Sequence, residues 1–183
     1  MSPRAKFLGL AALFATPIVA SVIAYNVIEP RQTANFGELL LPPARVTAQP
    51  FEGPVAPFSF GELAGRWVLV VSDSGACPQP CRDKLGTVKT VRLALGRNAT
   101  RVERVFVVDD LERPAPGALE EFTGMRVAYT PAGLSLPRGA GNDRAHVYLV
   151  DPRGNVMMRW PAGADRKRML GDLQRLLKAS QIG

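Results

Sequence analysis

Hydrophobic and polar positions alternate in three different ways along this chain. From Phe7 to Ile28 the sequence reads FLGLAALFATPIVASVIAYNVI, 22 residues without a charged side chain. As a helix this run is about 33 Å long, enough for a ~30 Å hydrocarbon core with slight tilt. Pro17 is a kink of the kind membrane helices tolerate. A cleaved signal peptide is the rival reading, because Val22-Ile23-Ala24 loosely resembles a cleavage site. The apolar run is longer than the usual h-region of about 7–15 residues, which favours an uncleaved anchor. Six prolines then punctuate residues 29–57, which read as an extended stalk.

Beyond the stalk the periods change. Phe58–Gly65 reads as an entry segment, and the unbroken apolar run of Trp67–Ser72 predicts a strand covered on both faces. Over Cys81–Leu95, Leu85, Val88, Val91, Leu93 and Leu95 make a helical stripe, with Lys84, Lys89, Arg92 and Arg97 expected on the opposite side. Val102–Val108 is the next strand, and Pro116–Phe122 predicts a short helix. A Gly/Pro-rich loop over 130–142 precedes two strands, Ala145–Val150 and Val156–Trp160, joined by the turn residues of DPRGN. Asp165–Ser180 closes the chain as a helix with Met169, Leu170, Leu173, Leu176 and Leu177 as its core face. The order strand, helix, strand, helix, hairpin, helix predicts a mixed α/β sheet with helices on both faces, the order of a thioredoxin-like fold.

Composition trims the possibilities. With 46% hydrophobic and 21% charged residues, the chain is an ordinary globular sequence of 183 residues. Two cysteines and one histidine cannot close a four-ligand structural zinc site without carboxylates. The net charge of +7 raises the question of nucleic acid. Arg4 and Lys6 precede the apolar run, whereas Glu29 and Arg31 beyond it cancel, so the positive-inside rule places residues 29–183 outside the cytoplasm. Export and the scatter of the basic residues argue against nucleic acid, and for anionic membrane surfaces or an acidic partner. The expected organisation is a cytoplasmic N-terminus over 1–6, a single-pass inner-membrane anchor over 7–28, the stalk over 29–57 and a periplasmic thioredoxin-like domain over 58–183.

The chemistry gathers at Cys77-Pro78-Gln79-Pro80-Cys81, where the first strand gives way to the first helix of the domain. Sites in open α/β sheets are built at that carboxyl end. A spacing of four puts both sulfurs on one side of a first helical turn, and the helix N-terminus with Arg82 and Lys84 favours a thiolate. A purely structural disulfide would stabilise little, about 2 kcal/mol for so short a loop. Redox chemistry and soft-metal binding both remain open, since thiolates serve either.

The stretch from Phe58 to Asp110 resembles the Sco/SenC family through FSFGELAGRWVLVV, the CPQPC form of a C-P-x-x-C motif, and VFVVDDLERPAP. AHVYLVDPRGNV resembles that family's final hairpin and Arg166–Ala179 its last helix, so the likeness runs from Phe58 to Ala179. It implies a membrane-anchored thioredoxin fold that delivers copper during cytochrome c oxidase assembly, with Cys77, Cys81 and a histidine as ligands. Two positions depart from the family pattern: Arg82 stands where proline usually follows the second cysteine, and Asp143 stands at the histidine position. The only histidine, His146, comes three residues later, at the start of a strand, and completes the expected copper ligand set of Cys77, Cys81 and His146. Asp109 matches a residue that orients the copper loop in the family.

Three functions follow as expectations. The first is an oxidase assembly factor that binds copper or exchanges thiol for disulfide through Cys77 and Cys81, with a copper-containing oxidase subunit or another redox protein as partner. The second is a general thiol–disulfide oxidoreductase without metal. The third is an accessory module whose disulfide is inert.

Overall fold

The computed structural model of the protein describes residues 2–27, 35–46, 51–131, 143–180 and 182. It divides into two units, Met1–Ala34 and Asn35–Gly183. The first unit holds α1, Pro3–Val27, a 25-residue helix with Pro17 inside it. The helix is long and apolar enough to cross a membrane. The Thr16 hydroxyl donates to the Ala12 carbonyl at 2.7 Å, so the polar side chain next to the proline is satisfied within the helix.

The second unit is built on one six-stranded sheet: β1 (Glu38–Arg45), β2 (Trp67–Asp73), β3 (Val102–Val108), β4 (Arg126–Tyr129), β5 (His146–Val150) and β6 (Asn155–Pro161). Their order across the sheet is β1-β6-β5-β2-β3-β4. β2, β3 and β4 run parallel, while β5, β6 and β1 are joined antiparallel. All seven residues of β2 are buried, as an apolar run in the middle of a covered sheet should be.

The sheet carries its two α-helices, α2 (Gln79–Ala94) and α3 (Arg166–Ala179), on one face. Leu85, Val88 and Val91 of α2 and Met169, Leu173 and Leu177 of α3 pack there on Leu69, Val71, Phe106 and Leu149. The expectation of helices on both faces is corrected. The other face is covered by Phe58 and by Phe60 and Leu63 of a single 3-10 turn, which meet Val68, Val70, Tyr148 and Val150. The entry segment caps that turn with a capping box, Ser59 accepting from the backbone while Glu62 reaches back.

Two other expectations change. Part of the stretch read as stalk is sheet, since β1 pairs with β6 along the edge. Pro42 and Pro43 sit where the β1 register breaks between Leu39 and Ala44, which an edge strand accepts. The short helix over Pro116–Phe122 shrinks to a 3-10 turn, Glu120–Phe122, because Gly117 takes the left-handed region at φ 79°. The loop expected over 130–142 falls almost wholly outside the described residues.

Asp172 of α3 fastens the edge of this fold. It is fully buried and accepts from the Phe36 and Gly37 amides at 3.0 and 2.7 Å and from Trp160 Nε1 at 2.9 Å. Arg175 completes its shell. Burial alone would raise this carboxyl, but the four donors outweigh burial and hold it below the ordinary carboxylate range.

Candidate functional site

β2 ends at Asp73, and residues 74–78 turn the chain into α2. Gly75 lets this loop lie against the backbone of Glu112, where a Cβ would come within 2.2 Å of a carbonyl oxygen. The Gly75 amide donates to Asp110 Oδ1 at 3.1 Å, and the Cys77 amide closes a turn on the Ser74 carbonyl at 3.0 Å. Cys77 itself adopts φ 39°, the left-handed region that side chains other than glycine seldom enter. Pro78 then caps α2, and Pro80 falls in its first turn, where a missing amide proton costs nothing.

This backbone brings Cys77 and Cys81 together as a disulfide with a Cα separation of 5.1 Å. The bond is covered: Cys77 is 2% exposed and Cys81 not at all. Both sulfurs belong to the sheet face that carries the helices.

Three charged residues surround the cysteine loop: Lys84, read from the sequence only as a nearby cation, and Asp73 and Arg144, which that reading missed. Lys84, expected on the polar side of α2, is buried at 2% exposure. Its ammonium spends all three protons, on Asp73 Oδ2 at 2.6 Å, the Arg144 carbonyl at 2.6 Å and the Ser72 carbonyl at 3.1 Å. Its spacing was the available signal, since Lys84 lies one turn beyond Cys81 and beside Leu85 on the inward stripe. Arg144 is the third. Its guanidinium grips Asp109 with Nε at 3.0 and 3.1 Å and with Nη2 at 2.5 Å, and reaches Asp110 Oδ2 at 3.1 Å. The hydrogen bond to Asp109 raises the Arg144 pKa, and with the charges of Asp109, Asp73 and Asp110 it outweighs burial, which lowers it. Asp109 also accepts from the Ser72 hydroxyl at 2.9 Å. Burial would raise Asp110, yet hydrogen bonds from Ser74 and the Gly75 and Glu112 amides, with the nearby Arg144 charge, hold it below the usual range. Arg144 therefore ties the approach to β5 to the cysteine loop twice, once through its side chain and once through its carbonyl.

His146 lies elsewhere. Val71 pairs with Val147 in the sheet, and alternation sends His146 to the face of Tyr148 and Val150, away from the disulfide. Its ring centroid is 5.9 Å from that of Tyr148, and its buried Nδ1 has no hydrogen-bond partner. Asp143 accepts from the Tyr148 hydroxyl at 3.4 Å; burial and then the Asp143 charge push that phenol up to about 12. Met158 is core, as are Trp67 and Trp160. Among the described residues no group of three His, Cys, Asp or Glu side chains could hold a metal ion. A Cys77/Cys81/His146 copper site does not fit this arrangement, because the sheet separates the imidazole from the sulfurs.

Residues 67–180 match the profile of the family described as transmembrane-like, thioredoxin-like, C-terminal domain. The chain belongs to that family. Among solved structures it is similar to the apo Sco1 protein from Thermus thermophilus, at 23% identity and TM-score 0.62 over 81% of this chain and 99% of that one. Yeast Sco1 with copper bound matches at 18% identity and TM-score 0.59, over 75% and 91%. BsSco, described as carrying a disulfide switch and as a member of the Sco family of cytochrome c oxidase assembly proteins, matches at 13% identity and TM-score 0.53, over 78% and 100%. At such identities the likeness is one of fold: a thioredoxin-like domain. No curated protein matches the chain.

Proposed function

We propose that this protein is a membrane-anchored thioredoxin-like factor that exchanges thiol for disulfide through Cys77 and Cys81 in the assembly of a respiratory oxidase. One observation carries the reading: a disulfide across the first turn of α2, at the carboxyl end of β2, with Cys77 held in the left-handed region. Backbone strain of that kind gathers at functional sites. A staple needed only for stability would not sit across so short a loop. The oxidase setting is supported by the fold shared with Sco proteins. Anchorage is supported by α1, with residues 29–183 on the extracytoplasmic side by the charge of the N-terminus.

In the exchange a client thiolate attacks one sulfur of the Cys77–Cys81 bond. The bond breaks, the other cysteine leaves as a thiolate, and a mixed disulfide forms. A second client thiolate then displaces the first cysteine. The client has lost two electrons as its own disulfide forms, and Cys77 and Cys81 have gained them, taking up the two protons that the client thiols gave. The reverse direction reduces the client by the same steps. Both sulfurs are covered, so the cysteine loop must open for the first attack.

The test is redox titration of the full-length chain against glutathione, read by the mass added when free thiols are alkylated. A midpoint above about −300 mV supports the reading, and one at or below it marks an inert bridge. Copper as cargo is the second reading, favoured by the soft donor character of the reduced pair and by the copper bound to yeast Sco1. It requires only the two thiolates. One equivalent of Cu(I) bound by the reduced chain and by His146→Ala, and lost in Cys77→Ser, is the expected result. Absence of binding in the reduced parent chain would leave thiol exchange alone.

A further inference from the structure

The positive charge of this protein sits in one layer. Residues 79–101 and 166–179, which form α2, the 3-10 segment after it and α3, hold 11 of the chain's 23 Lys and Arg, all but Lys84 outside the buried core, and only 2 of its 16 Asp and Glu. All other residues together hold 12 basic and 14 acidic side chains. The excess of the whole chain therefore resides on the helices, and the strands and loops are slightly acidic.

The layer is continuous. α2 and α3 pack on the same sheet face, Arg166 Nε reaches Thr87 Oγ1 at 3.4 Å, and Arg101 donates to the Leu177 carbonyl at 2.9 Å. Arg97, Arg166, Lys167 and Lys178 of these segments are exposed. Beyond the Asp165 N-cap neither helix has an acidic residue in its first turn, and α3 opens on Arg166-Lys167-Arg168, where the helix dipole disfavours cations. Leu93 is the one large hydrophobic exposed on these segments, too little for an apolar protein interface.

We infer that this helical face docks, through its cations alone, on the anionic lipid headgroups of the membrane that holds α1. The inference rests on α1 being a membrane anchor. From Val27 to Asn35 the chain takes eight residue steps, at most about 28 Å of extended backbone, so the domain stays within reach of that surface. Each Lys or Arg close to an anionic bilayer adds to the attraction, which salt then screens.

The test uses the full-length chain in nanodiscs of pure phosphatidylcholine or of phosphatidylcholine with about one-third phosphatidylglycerol. An uncharged succinimidyl acetate reports the acetylation rates of Lys167 and Lys178 by mass spectrometry. Docking slows both by about three-fold or more in the anionic discs, and salt at about 0.5 M restores them. Arg97→Gln combined with Arg166→Gln reduces the protection without touching the cysteine loop. Equal rates in the two lipids, with the chain co-eluting with its discs, overturn the docking. A chain that does not co-elute with either disc overturns the anchor instead. Protection by a soluble acidic polypeptide and not by lipid assigns the face to a protein partner and also overturns the inference.

Discussion

Lys84 shows how much one side chain can be asked to do. An ammonium is stable inside a protein only if every proton finds an acceptor, and here Asp73 and two carbonyls supply them. Replacing it strands a carboxylate that is 7% exposed. Lys84→Met is expected to cost about 3–5 kcal/mol in urea unfolding, because Asp73 stays behind unpaired. Adding Asp73→Asn should return much of that loss. A single variant as stable as the parent would mean the pair carries no such burden. The two variants also separate structure from redox chemistry. The lost ammonium and the lost carboxylate offset each other one turn from Cys81, so a folded Asp73→Asn, Lys84→Met chain should keep a midpoint potential close to the parent's.

At the scale of elements, the disulfide and the core contribute very differently. Closing a loop between residues 77 and 81 removes little chain entropy, so Cys77→Ala with Cys81→Ala is expected to lower stability by about 2 kcal/mol or less. Leu173→Ala on α3, fully buried against the sheet, should cost about 2–5 kcal/mol. The reverse ranking in denaturant titrations would make the disulfide a structural staple. The same contrast explains what the sequence disclosed. Val102–Val108 is the strand its apolar run predicts, and α3 begins after Asp165, whose side chain accepts from the Arg168 amide at 2.9 Å. Strong periods and caps are local, so they are legible. β1 is not local: it exists because Leu40 and Val46 find a buried face and Glu38 meets Arg159 at 2.8 Å, partners far along the chain. The cysteine pair was legible from its spacing and Lys84 from its place on the inward stripe of α2, whereas Arg144 joins the site only where β5 meets β2. The position of His146 likewise follows from sheet alternation, which strand prediction supplied, but which face holds the cysteines came only from the packing of α2.

For the whole molecule, these buried ionisable groups define how stability responds to pH. Asp110 and Asp172 have folded pKa values below their unfolded ones. Their stabilisation is present above the ordinary carboxylate range near about 4 and is lost as pH falls through the lower folded values. Tyr148 has the opposite sign, since its folded pKa is raised to about 12 from 10.0. Its contribution is complete below pH ~10 and disappears as pH rises toward ~12. Unfolding free energy measured across pH should therefore fall at both ends, for reasons lying in different parts of the fold. Asp172→Asn should weaken the fold at neutral pH by about 2–4 kcal/mol, since an amide presents one acceptor oxygen to donors that had two, and should flatten the acid limb. Tyr148→Phe should leave the acid limb unchanged and remove part of the alkaline one, at a neutral cost of about 1 kcal/mol or less for its long 3.4 Å bond to Asp143. If Tyr148→Phe left the alkaline limb as steep as in the parent, the phenol would not be the group that titrates. The contrast matters for the site because Tyr148 lies behind the sheet, with His146, whereas Asp110 holds the cysteine loop in front of it. Acid should thus loosen the loop around Cys77 while alkali disturbs the opposite face. Alkylation of the reduced cysteines in Asp110→Asn, compared at matched thiolate fraction with the parent, should be faster at neutral pH if that carboxylate is what keeps the loop closed, and the difference should close in acid, where the parent's carboxyl is protonated too.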